Sequence, residues 1–241
     1  MNQAPPSLEL GSWAQWAGVA ATLAAVLVAL FKDTALRWWN RPRLTVSIKL
    51  GPPDCAKTKL HYAVQRVAPT FVAADCYWLR LWVKNEGRTR AEKVQVFAEQ
   101  LARRAADGTF KIVEDFLPMN LRWSHAQNPE GFPEVFADAI SREMGRHCDL
   151  GRVVDPSCLV DLGESLNDVP PGKTDLALEL EVKPNTRTHL LRPGDYRLSL
   201  RIGAANAGPV TAVVELNHTG EWFSDPQRMF SDGLGVAVIC N

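Results

Sequence analysis

From Leu10 to Phe31 the chain carries no charged side chain. At a helical rise of 1.5 Å per residue this stretch spans roughly 33 Å, the thickness of a bilayer's hydrocarbon core. Trp13 and Trp16 stand at one end and Trp38 and Trp39 just past the other, where amphipathic indoles favour the headgroup region. The pattern predicts a transmembrane helix over 10–31 behind a short tail over 1–9. A helix buried in a soluble core would seldom place indoles outside both of its ends. A cleavable signal peptide would open with basic residues, and none precedes the apolar stretch.

Charge sets the expected orientation. Lys32, Arg37, Arg41 and Arg43 follow the span with only Asp33 against them, so 32–43 reads as a basic juxtamembrane segment touching anionic headgroups. Under the positive-inside rule the short N-terminus is exported and the rest stays cytoplasmic, a single-pass arrangement in a cell's inner membrane. Cys55, Cys76, Cys148, Cys158 and Cys240 form an odd, irregular set, as expected where thiols remain reduced. Within the span, Ala14, Gly18, Ala21, Ala25 and Ala29 recur at three- and four-residue steps. Such a small-residue stripe lets helices approach closely in lipid and implies a homo-oligomer through this helix.

The remainder is a folding sequence. With 46% apolar residues and 27 basic side chains against 27 acidic, the chain has enough to bury and too little net charge to stay disordered. Leu44 to Leu50 alternates apolar and polar residues until Gly51-Pro52-Pro53 ends it, the period of a half-buried strand. Cys76–Val83 and Lys93–Leu101, joined through Asn85-Glu86-Gly87, read as an antiparallel hairpin, with Trp82 expected in the core. Further strands are expected at 111–113, 117–123, 176–182, 196–202, 210–216 and 236–239, and one helix at about Glu134–Met144. Short strands between turn signals predict a mainly β domain over 44–241, an antiparallel sandwich with an irregular insertion at about 124–174.

Two segments carry a family likeness. Leu81-Trp82-Val83-Lys84-Asn85-Glu86-Gly87, followed by Ala91 and Val94-Gln95-Val96, resembles a hairpin of bacterial immunoglobulin-like, adhesion-type modules. Leu191 to Leu198, through Pro193-Gly194-Asp195-Tyr196, resembles their turn into a late strand with the tyrosine of a tyrosine corner. The resemblance implies an immunoglobulin-like fold and no particular chemistry.

Motifs for chemistry fail on their own requirements. Gly172-Lys173-Thr174 lacks the leading glycine of a phosphate loop, and Pro170 and Pro171 remove backbone donors from it. His147-Cys148-Asp149 has no companion pair at zinc spacing, and no nucleophile elbow occurs. No metal, cofactor or catalytic residue is therefore assigned, and the balanced charge argues against nucleic acid. Trp222-Phe223, set among small and acidic residues, is a possible partner contact or a loop packing its indole over the open end of the domain. The expectation is a non-enzymatic, membrane-anchored module that binds a protein or small ligand. Two alternatives stand beside it: a ligand-triggered membrane effector, since the layout resembles those of bacterial antiviral signalling, and a hydrolase with a hidden site.

Overall fold

The structure is a computed structural model and describes residues 13–64, 70–125, 135–164, 170 and 172–239. It divides into two units, Met1–Arg41 and Pro42–Asn241. The first is a single helix, α1 (Trp13–Asn40), built of alanine and leucine, good helix formers. It runs nine residues past Phe31, and Pro42, which removes a backbone donor and disfavours helix at the residue before it, lies just beyond its end. Over Gln15–Lys32 its mean hydropathy is 1.6 and none of it is buried. Thr22 Oγ1 donates to the Gly18 carbonyl at 2.8 Å, so the hydroxyl is satisfied within the helix. The expected tail over 1–9, the first residues of the expected span, and the side chains of Ala14, Arg37 and Trp38 lie outside the described residues.

The second unit is mainly β. Its strands are β1 (Leu44–Ser47), β2 (Cys55–Val64), β3 (Thr70–Asn85), β4 (Ala91–Arg104), β5 (Phe110–Ile112), β6 (Met119–Asn120) and β7 (Arg122–Trp123). There follow β8 (Ala137–Ile140), β9 (Gly145–Val154), β10 (Leu176–Leu178), β11 (Leu190–Leu191), β12 (Gly194–Ala204), β13 (Ala207–His218) and β14 (Leu234–Ile239). They form two antiparallel sheets of seven strands each. The first has the order β1-β3-β9-β10-β11, with β2 also on β3 and β7 on β9; the second has β14-β13-β12-β4-β5, with β6 and β8 on β4.

One core is shared by an inward face of each sheet. Along β3, Tyr77, Leu79, Leu81 and Val83 are fully buried, and on β12 Tyr196, Leu198, Leu200 and Ile202 repeat the alternation. A smaller apolar cluster of Ala74, Cys76, Val154 and Leu159 lies on the other face of the first sheet.

Six expectations are revised. The segments read as a hairpin, β3 and β4, do not pair: the turn after Asn85 carries the chain from one sheet into the other. Local alternation reports that each strand is half-buried and not which strand it pairs with. Trp82 lies opposite Leu81 and Val83, on the outer face, half-buried beside His147 at 4.7 Å between ring centroids. The predicted helix at Glu134–Met144 is a strand where described: Ala137–Ile140 pairs with Ala91–Val94, and burial of Ala137 and Ile140 outweighs helix propensity. The single strand expected at 117–123 changes sheets at the buried Leu121, β6 pairing with β4 and β7 with β9. Of the strand expected at 176–182, Leu176–Leu178 pairs as a strand and Leu180 makes one bridge to Leu121. Within the stretch expected to be irregular, β9 is a ten-residue strand paired to both β3 and β10.

Candidate functional site

The strand ends define two loop clusters, and the chain reaches the unit at Pro42 beside one of them. At the opposite end β13 gives way to residues 219–233, which cross the margin of the core. Asp225 accepts the Arg228 amide at 3.0 Å, Pro226 takes the first helical position, and the turn continues through Met229–Gly233. Met229 is fully buried among the core residues. Trp222 and Phe230 pack on the Tyr77 ring, at 5.0 and 5.5 Å between centroids, the second edge-on. The Tyr77 hydroxyl donates to the Phe223 carbonyl at 2.8 Å, and burial pushes its pKa up to about 12.

Lys57 ties this segment to β2. Its ammonium donates to the Ser224 carbonyl at 2.9 Å, pairs with Asp75 at 3.1 Å, and lies near the Tyr77 and Trp222 rings. Beside it opens a groove of about 590 Å³ lined by Leu50, Pro52, Ala56, Lys57, Pro226 and Phe230. That volume is within the range of small-molecule sites, and a mostly apolar wall with the polar side chains of Gln227 and Ser231, its one cation Lys57 already paired with Asp75, suits an apolar group with a few hydrogen-bonding atoms.

A second cluster sits on the outer face of the first sheet. Asp155 accepts the amide and hydroxyl of Ser157 at 3.0 and 2.6 Å, starting a turn with Pro156 at its first position. It ends at Gly163, whose φ of 65° permits the bonds Gly163 to Val160 and Glu164 to Leu159. The ending delivers Glu164, which is buried, to Arg152, also buried, and to Lys183 at 2.6 Å. Arg152 also pairs with the buried Glu179, and Arg122 donates to the Glu181 carbonyl at 2.8 Å. Further along the strands Arg80 bonds Asp149 at 3.0 Å, and Ser124 donates to the same carboxylate at 2.6 Å. Opposite charges alternate here and tie the 155–164 turn to the sheet, although Arg122 Nε, Arg152 Nε and Glu164 Oε2 have no hydrogen-bond partner among the described residues.

Cys55, Cys76 and Cys148 are buried, which disfavours their thiolates. Burial raises Cys55 to about 11, Cys76 to about 12 and Cys148 well above the ordinary value. His147 and Cys148 face opposite sides of β9, Cys148 being fully buried in the core.

Comparison of the chain with protein-family models, with curated proteins and with solved structures finds no match. Of the residues the sequence singled out, Trp222 and Phe223 come together with Tyr77, Lys57 and Phe230, while Trp13, Trp16, Lys32 and Trp39 lie on α1 with Gly18, Ala21, Ala25 and Ala29. Arg43 lies in the second unit, its amide donating to the Asn85 side chain at 3.2 Å. The groove itself escaped sequence reasoning, because Leu50-Gly51-Pro52 and Pro226-Phe230 are far apart in sequence. Its one local signal is the Trp-Phe pair beside it.

Proposed function

We propose that the chain is a single-pass membrane protein of bacterial type, in which α1 anchors a cytoplasmic, immunoglobulin-like β domain that binds a protein or small ligand without catalysis. The observation that carries this reading is α1 itself: an apolar helix with no buried residue over Gln15–Lys32, next to a unit that closes its own core. Apolar surface left this bare in water is costly, and lipid removes the cost. Trp13, Trp16 and Trp39 mark the helix ends and Lys32, Arg41 and Arg43 follow the apolar stretch, which favours the cytoplasmic side for the β domain. The immunoglobulin-like assignment draws on two antiparallel sheets sharing a core and on buried Tyr196, which hydrogen-bonds the Arg192 backbone four residues upstream. Binding is assigned to the Lys57–Phe230 groove and the adjoining Trp222-Phe223 segment.

Fusion reporters after Asn241 test the topology. A cytoplasm-dependent fluorescent reporter is expected to be bright there and an alkaline phosphatase fusion inactive; the reverse would place the domain outside. The small-residue face of α1 favours self-association, the arrangement an effector would need.

A further inference from the structure

We propose that the loop cluster around Pro42 is a second membrane-contact surface, which docks on anionic phospholipid and holds the β domain with its groove pointing away from the bilayer. This rests on the anchor reading above and names what that reading leaves open, the face the domain turns to the lipid.

The cluster is built around one side chain. Asn85 is fully buried; its amide donates to the Thr89 and Ile140 carbonyls at 2.8 and 3.0 Å, and its oxygen accepts from Arg43 and Gly87 at 3.2 and 3.0 Å. Its backbone bonds Met144 and Glu143 at 2.9 and 2.8 Å. A Cβ at Gly87 would meet the Arg43 nitrogen at 2.3 Å and Pro42 Cα at 2.5 Å, so only glycine lets the 86–90 turn close on the incoming chain. Asn206 joins the β12–β13 turn to the same cluster through the Arg90 carbonyl at 2.9 Å. Three turns and the chain's point of arrival thus form one rigid end.

That end is cationic in a unit that is not. Segments 42–45, 84–92 and 141–146 hold six cations (Arg43, Lys84, Arg88, Arg90, Arg142, Arg146) against three anions (Glu86, Glu92, Glu143), while residues 42–241 as a whole hold 24 against 25. At the far end, 49–54 and 219–233 together with Lys57, Asp75 and Lys173, which bond them or one another, hold four cations against five anions. Arg43, Arg88, Arg90 and Arg142 are exposed, and Met144, 61% exposed, places an apolar side chain among them. Pro42 follows Phe31, the last residue of the charge-free stretch, closely in sequence, so this end is the part of the β domain where the chain arrives from the span. Each basic residue at an anionic surface strengthens binding by a factor of about five, and the far end has no cationic excess to match it.

The test uses the full chain in nanodiscs of phosphatidylcholine, alone or mixed with phosphatidylglycerol, read by amide hydrogen exchange. Exchange at 86–90 and 141–144 is expected to slow by about fivefold or more in the anionic discs and to recover in high salt. Arg88→Glu with Arg142→Glu is expected to abolish the slowing while β3 and β9 keep their protection, and Lys49→Glu at the far end to leave it intact. Equal exchange in the two lipids, or slowing that salt does not reverse, overturns the proposal. Protein that alkaline carbonate strips from membranes overturns the anchor reading as well, which separates the two failures.

Discussion

At the scale of single residues, the chain's unusual investment is in buried polar groups. His189 is buried close to Lys183 and Arg152, and burial first, then the Lys183 charge, lowers its pKa to about 4. An unfolded histidine titrates near 6.5, so below that pH the unfolded chain holds a proton that the folded chain refuses until about pH 4. Stability is therefore complete above about pH 6.5 and falls as pH drops through this window, by about 2 kcal/mol at about pH 5. His218 is shifted the same way, chiefly by burial. A lower melting temperature at about pH 5 than at neutral pH is expected for the detergent-solubilised chain, and His189→Gln is expected to recover part of the difference. None of this was legible beforehand. Arg152, Glu164, Glu179 and His189 are residue types that normally face water, and only the return of the chain through 155–164 and 179–189 covers them.

At the scale of elements, strand existence was legible and strand partnership was not. Alternation in Tyr196–Ile202 and Val210–Leu216 follows from one buried face, and both strands occur where that pattern places them. The same periodicity over Leu81-Trp82-Val83 leaves open which set points inward, and the aromatic residue misled: Trp82 is the outward one. Leu81→Ala is accordingly expected to cost about 2–5 kcal/mol, and Trp82→Ala less than Leu81→Ala, in urea denaturation of the full chain. Gly145 supplies a sharper check of the outer face. A Cβ there would meet the Trp82 ring at 2.4 Å, so Gly145→Ala is expected to cost about 1–3 kcal/mol and to change the indole fluorescence. An unchanged midpoint and spectrum would place Trp82 elsewhere.

At the scale of the whole molecule, the division at Pro42 separates an uncovered apolar helix from a unit with its own core. Removing residues 1–41 should leave a product that stays in solution without detergent and gives a strand-dominated circular dichroism spectrum. Aggregation of that product would mean that the helix also serves the fold. The crossover after Asn85 bears on how this molecule is made. Because β3 finds β9 and β4 finds β12 rather than each other, one edge of each early strand waits for a partner that leaves the ribosome tens of residues later, while β1 and β2 pair the other edge of β3 and β5 and β6 part of the other edge of β4. At about 5–20 residues per second that wait lasts several seconds, with long unpaired edges exposed. Until β9 and β12 arrive, these open edges are where one nascent chain could pair with another, so the order of synthesis sets the interval in which edge-to-edge aggregation competes with folding.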